Sequence, residues 1–65
     1  MARGYGRQIE RRLRDAGCTF VRHGKGDHEI WHSPLTDRHF TFDRSVRLRH
    51  TANGILQDAG LPKAF

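Results

Sequence analysis

The first third of the chain follows a helical pattern. Over about residues 5–16, Ile9, Leu13 and Ala16 fall at i, i+4 and i+7, which places them on one narrow apolar stripe. Gly17 follows directly, and glycine readily adopts the left-handed conformation that ends many helices. The pattern predicts a first helix that stops at Gly17.

The middle of the chain alternates between apolar and polar positions, as half-buried strands do. The spacing predicts strands over residues 18–23, 28–33 and 38–42, joined by turns over residues 24–27 and 34–37. Short turns between consecutive strands favour an antiparallel meander.

Alternation also predicts which strand residues share a face. In the second strand His28, Ile30 and His32 fall on one face, and Glu29 and Trp31 fall on the other. In the third strand, Phe40 and Phe42 are predicted on one face and His39 and Thr41 on the other.

A second helix is predicted over about residues 51–59, with Thr51 as its N-cap and Gly60 at its end. Its apolar positions recur at helical spacing: Ala52, Ile55, Leu56 and Ala59. The predicted order is α-β-β-β-α. We therefore expect an α+β fold in which both helices pack on one face of a three-stranded antiparallel sheet, leaving the other face in solvent.

Length and charge narrow the function classes. A chain of 65 residues predicts a single domain over residues 1–65 whose active site, if it has one, lies on the surface. Ten Arg and two Lys outweigh seven acidic residues, for a net charge of +5 and a pI of about 10.7. Such a balance favours nucleic acid or another polyanion as the partner. The alternative is a solvated surface that happens to be basic.

Other features point to the cytoplasm. Cys18 is the single cysteine, so no internal disulfide can form, and we expect it to be a small buried hydrophobe. No apolar run approaches the length of about 20 residues that a membrane span needs. Residues 1–4 are expected to be a mobile lead-in without the apolar core of a signal peptide.

Five histidines raise the question of a metal site. His28 and His32 share a strand face, but residues four apart on a strand are separated by about 13 Å, too far to bind one ion. With one cysteine and no closely spaced ligand motif, we expect no metal and no cofactor.

The turn before His28 is the strongest candidate for chemistry. Histidine can exchange protons near neutral pH, and RNA carries its own nucleophile in the ribose 2′-OH. Lys25 and nearby arginines would neutralise phosphate charge, while Gly24 and Gly26 would let RNA approach the backbone. The alternative is that His28 is an ordinary half-exposed strand residue.

A second basic segment directly precedes the predicted second helix. Arg47, Arg49 and His50 could bind a phosphate at the free N–H groups of that helix, or they could form a solvated loop. Trp31 and Tyr5 could stack on bases, although packing against the sheet is favoured for Trp31. The remaining histidines are expected to be strand-surface residues: His23, His32 and His39.

Together these motifs resemble the HicA toxins of bacterial type II toxin–antitoxin systems, and the element order resembles a double-stranded-RNA-binding-domain-like fold. The resemblance covers nearly the whole chain and is carried by ordered segments. These segments are Leu13-x-x-Ala16-Gly17-Cys18-x-Phe20-Val21-Arg22, Gly24-Lys25-Gly26-Asp27-His28-Glu29-Ile30-Trp31, Pro34, and Ile55-Leu56-Gln57-Asp58-Ala59-Gly60-Leu61.

The resemblance implies an mRNA interferase, a small ribonuclease that is held inactive by a HicB antitoxin. The functional histidine of the family usually follows Gly-Ser, and here it corresponds to His28, with Asp27 in place of the serine. A Pro-x-His motif of many members is missing, since Thr41-Phe42-Asp43 stands there.

The resemblance implies one function, with two alternatives. We expect a metal-independent endoribonuclease that cleaves mRNA with His28 as general acid/base. The alternatives are a non-catalytic RNA-binding domain of the same fold and a toxin homologue that only pairs with an antitoxin. The residues expected to bind RNA are Arg22, Gly24, Lys25, Gly26, Arg47, Arg49 and His50.

Overall fold

The structure is a computed structural model that describes residues 4–65; most of the predicted lead-in over residues 1–4 lies outside the described residues. The element order α-β-β-β-α and the α+β class are confirmed. The elements are α1 (Gly6–Asp15), β1 (Thr19–His23), β2 (His28–Ser33), β3 (Arg38–Asp43) and α2 (Arg49–Asp58).

The three strands form one antiparallel sheet in the order β1-β2-β3. Trp31 pairs with Phe40 and Glu29 pairs with Phe42, and all four side chains are buried against the helices. The intervening pairs, such as Ile30 with Thr41, lie on the opposite face, which is more exposed. The strand faces predicted from alternation are therefore confirmed.

Both helices bury the stripes that their spacing predicts. Ile9 and Leu13 of α1 are fully buried in the same core as the apolar side chains of α2. Ser33 fastens β2 to the end of α2, because its hydroxyl donates a 2.6 Å hydrogen bond to the carbonyl of Ala59. Gly17 follows the end of α1 with a φ of 89°.

The start of α2 differs from the prediction. Thr51 is not the N-cap, because the helix begins at Arg49 after an extended Leu48. The Leu48 carbonyl accepts the N–H of Ala52 at 2.9 Å, which closes the first turn three residues earlier than a Thr51 cap would allow. His50 therefore lies inside the first turn of α2 and does not precede the helix.

Strand β1 is shorter and more irregular than predicted. Cys18, 4% exposed, is a buried core residue as expected, but it precedes the strand. The register with β2 shifts between Phe20 and Arg22, so Val21 forms a bulge and has no partner residue in the pairing with β2. Phe20 and Val21 remain 40% and 45% exposed, because β1 is an edge strand with solvent beside it.

No helix within residues 4–65 has both the length and the apolar character needed to cross a bilayer.

Candidate functional site

The turn over residues 24–27 holds His28 at the start of β2, at the end of the sheet. The Gly24 N–H donates to the His28 carbonyl at 2.8 Å, and the His28 N–H donates to the Lys25 carbonyl at 3.1 Å. Gly26 has a φ of 62°, a conformation that favours glycine. A Cβ added at Gly24 would come within 3.3 Å of the His28 carbonyl oxygen. The glycines therefore make this tight turn possible.

His28 faces a carboxylate that the sequence analysis did not identify as part of the site. Its cross-strand partner is Asp43, the last residue of β3, and Nε2 of His28 lies 3.9 Å from Oδ2 of Asp43. That separation is too long for a hydrogen bond but short enough for electrostatic interaction. The two side chains are 51% and 36% exposed, so the pair is open to a surface ligand.

Ser45 holds the other oxygen of the Asp43 carboxylate. The Ser45 hydroxyl donates to Oδ1 at 2.8 Å, and the Ser45 backbone N–H donates to the same oxygen at 3.0 Å. The hydroxyl hydrogen bond is the main cause of a lowered pKa for Asp43; the backbone hydrogen bond and the charge of His28 add to it, while burial opposes it. Asp43 is therefore anionic at neutral pH, with its free oxygen directed towards His28.

Arg44 links this end of the sheet to the turn before β2 and to helix α1. Its backbone N–H donates to the Asp27 carbonyl at 3.1 Å, which joins the β3 end to the turn. Its guanidinium donates to Glu29 at 3.0 and 3.1 Å and to Glu10 of α1 at 2.6 Å. Trp31 completes the network, since its indole N–H donates to Glu29 at 2.9 Å. Arg44 is therefore committed to internal contacts and supports the turn that carries His28.

The residues expected to bind RNA fall into two groups. Arg22 is exposed opposite Ile30 on the sheet face that also carries His28, and Lys25 is exposed within the turn. Arg47, Arg49 and His50 are exposed in the connection to α2 and in its first turn. Within residues 4–65 no hydrogen bond or ion pair joins this second group to His28.

The aromatic candidates have packing roles. Trp31 is fully buried and cannot stack on a base, so the favoured interpretation of this residue is correct. Tyr5 is half-buried against Phe65, with 4.7 Å between the ring centroids.

The other strand histidines lie on both sides of the sheet. His32 and His39 form a cross-strand pair on the same face as His28, with ring centroids 5.2 Å apart. Nε2 of His32 lies 3.2 Å from the Asp37 carboxylate. His23 instead pairs with buried Glu29 and packs beside Phe20 at 5.0 Å. Among the described residues no group of three or more His, Cys, Asp or Glu is placed to hold a metal ion.

Comparison with known proteins found no match to this chain among family models, curated proteins or solved structures. The link to the HicA family therefore rests on the sequence resemblance alone.

Proposed function

We propose that this domain is an endoribonuclease toxin of the HicA type, acting in the cytoplasm on mRNA without a metal ion, with His28 as general acid/base. The observation that supports this most directly is the half-exposed His28 beside a glycine turn, facing the anionic carboxylate of Asp43. An exposed histidine next to a fixed carboxylate and a phosphate-compatible turn suits chemistry on a phosphodiester.

The proposed reaction uses the nucleophile of the substrate itself. The ribose 2′-oxygen attacks the adjacent phosphorus while His28 accepts the hydroxyl proton. The bond from phosphorus to the 5′-oxygen breaks, and that oxygen takes a proton from an acid, leaving a 2′,3′-cyclic phosphate and a 5′-hydroxyl. Asp43 would stabilise the imidazolium that forms by its negative charge, since its free oxygen lies 3.9 Å from Nε2 of His28.

Cations near the turn would stabilise the charge on the phosphate. Lys25 lies in the turn and Arg22 lies on the face that carries His28, and Gly24 and Gly26 add no side chain that would block RNA. Both cations would neutralise charge that develops on the non-bridging oxygens during attack.

The second basic group would bind a neighbouring phosphate. Helix α2 has no acidic residue in its first turn and no side-chain hydrogen bond at its N-cap, so its N–H groups remain available to an anion. Arg49 and His50 are exposed in that turn, and Arg47 is exposed just before its N-cap residue. Replacing Arg47 and Arg49 together is expected to flatten the dependence of log affinity on log salt by about two units.

Replacement of His28 tests the catalytic assignment. Purified His28→Ala protein is expected to cleave RNA about 10²- to 10⁴-fold more slowly than wild type while keeping the wild-type circular dichroism spectrum. Cells that express His28→Ala are expected to grow, whereas cells that express the wild type are expected to arrest. His23→Ala is the matched control, because it removes an exposed histidine from the other side of the sheet. Full activity in a folded His28→Ala protein would overturn the assignment. Activity that EDTA abolishes and a divalent ion restores would contradict a metal-independent reaction.

Two alternatives predict different results in the same assay. A non-catalytic RNA-binding domain would bind RNA with the same salt dependence but leave it intact. A homologue that only pairs with a HicB-like antitoxin would bind the antitoxin but neither bind nor cleave RNA.

A further inference from the structure

The sheet has a face that no described element covers. We call it the open sheet face. Its exposed or half-exposed strand residues are Thr19, Arg22, His28, Ile30, His32, His39, Thr41 and Asp43. Helices α1 and α2 pack on the opposite face, against Trp31 and Phe42. The proposed catalytic His28 lies at one end of the open sheet face.

The side chains follow an order along this face. His28 is followed on β2 by Ile30 and His32, so the face extends about 13 Å from the catalytic end to the far histidine. His39 stands across from His32, and the two rings meet edge to face at 5.2 Å. Arg22 lies opposite Ile30 at the centre. A cation, an aliphatic side chain and two imidazole rings therefore line one continuous track that ends at His28, beside the carboxylate of Asp43.

This chemistry suits unpaired RNA. Proteins bind single strands by stacking bases on ring faces and tracking phosphates with cations, and histidine is among the rings used. The Asp37 carboxylate beside His32 disfavours a phosphate there, so bases would meet the His32–His39 pair and a phosphate would meet Arg22. Three strands span only about 10 Å, enough for one nucleic-acid strand.

A protein partner fits the open sheet face less well than RNA does. Ile30 is the only aliphatic side chain among its eight residues, whereas the centre of a stable protein interface is mainly apolar. The net charge of +5 also favours a polyanion.

We propose that the open sheet face binds single-stranded RNA and leads the strand to His28, so that the His32–His39 pair is a base-binding subsite remote from the cleaved bond. The choice of RNA as the ligand rests on the proposed function. This surface is distinct from the basic segment at the start of α2, and it predicts that the enzyme selects unpaired substrates.

Binding to a short 2′-O-methyl oligonucleotide, which lacks the nucleophile and cannot be cleaved, tests the proposal by fluorescence anisotropy. The His32→Ala/His39→Ala double variant is expected to bind about 10-fold or more weakly than wild type. His23→Ala is expected to bind as wild type does. The same oligonucleotide annealed to its complement is expected to compete poorly. In wild-type protein, the ring NMR signals of His32 and His39 are expected to shift as the single strand is added, which checks the site without any substitution.

The outcomes separate this proposal from the nuclease itself. Unchanged affinity in the double variant, or equal affinity for the duplex, would show that the open sheet face is not the binding site for single-stranded RNA, even if wild type cleaves RNA. If the single strand binds at His32 and His39 but the protein leaves unmodified RNA intact, the RNA-binding role of the open sheet face is supported and the proposed nuclease activity is overturned. No binding of the single strand by wild type would overturn both.

Discussion

At the residue scale, Asp43 is the side chain that gives His28 an unusual environment. Asp43→Asn removes the charge but keeps the shape and the ability to accept from Ser45. If Asp43 stabilises the imidazolium, kcat for RNA cleavage should fall by up to about 100-fold, while KM should stay level or decrease, because no attraction to phosphate is lost. Steady-state cleavage of a fluorogenic oligoribonucleotide measures both constants.

Asp37→Asn is the control for Asp43→Asn, because Asp37 contacts His32 at 3.2 Å at the other end of the face. Asparagine also tolerates the positive φ of 54° at this position. An unchanged kcat in Asp43→Asn would mean that His28 acts without its cross-strand neighbour.

Arg44 contributes to stability through its two carboxylate partners, Glu29 and Glu10. It holds the pKa of Glu29 and of Glu10 below the usual range, chiefly through its guanidinium hydrogen bonds. Arg44→Met is expected to lower the free energy of unfolding at pH 7 by about 1–3 kcal/mol, less than for a fully buried pair because Arg44 is partly exposed. Urea denaturation measures the difference.

The pH dependence of the Arg44 effect follows from the depressed pKa values. A carboxylate with a lowered folded pKa contributes stability above its unfolded pKa, about 4.5, and loses it as pH falls through the folded value. The difference in the free energy of unfolding between wild type and Arg44→Met should therefore become smaller well below pH 4.5. Arg14→Met is the control: its ion pair with Glu10 is exposed, so its charge contributes less than about 1 kcal/mol. The guanidinium carbon of Arg44 also lies 5.1 Å from the centre of the Phe42 ring. An equal difference in unfolding free energy at low pH would show that Arg44 stabilises the protein by this packing and not by its charge.

At the element scale, one glycine inside α2 and one just after it should respond in opposite directions to replacement by alanine. Gly60 follows the helix with a φ of 86°, and a Cβ there would lie 3.0 Å from Thr36 and 3.1 Å from Leu35. Gly60→Ala is expected to destabilise the protein by about 1–2 kcal/mol. Gly54 lies inside the helix, where a Cβ would meet nothing within 4 Å, so Gly54→Ala should stabilise it by about 0.5–1 kcal/mol. Thermal unfolding of both variants shows whether each substitution raises or lowers stability, and destabilisation by Gly54→Ala would contradict this prediction.

The elements also show what local sequence pattern can predict. Strands β2 and β3 were predicted to within one residue, because each buries every second side chain against the helices. The predicted start of α2 was wrong. The backbone hydrogen bond from Ala52 to Leu48 begins the helix before Thr51, although threonine is the better N-cap residue. The bulge in β1 depends on pairing with β2, which the alternation of one strand does not encode.

At the scale of the whole molecule, the candidate site combines a local part and a distant part. The glycine turn and His28 are contiguous in sequence, and their placement at the sheet end was predictable. Asp43 and Arg44 come from the far end of β3 and reach His28 and Glu29 only through the sheet register. Such partners, 15 residues apart in each case, cannot be read from spacing without the fold. The chemistry of the site remains a prediction.

The last prediction concerns the partner that would silence such a toxin. Because the proposed site lies on a basic surface, we expect an acidic HicB-like antitoxin to cover His28, Lys25 and the neighbouring arginines. Antitoxin and RNA would then compete for the same cations. Titrating the antitoxin should protect the amides of residues 24–28 from hydrogen exchange and abolish RNA cleavage at the same molar ratio.

Charge reversal distinguishes attraction at the site from attraction to the net charge. Lys25→Glu should slow association with the antitoxin by about 10-fold at low salt, since complementary charge mainly raises the association rate. Lys63→Glu makes the same change in net charge on the C-terminal segment after α2 and should slow association much less. Equal slowing by both would indicate that only net charge guides the encounter. A bound antitoxin that left residues 24–28 exchanging freely and RNA bound at full affinity would show that the active site is silenced by some means other than occlusion.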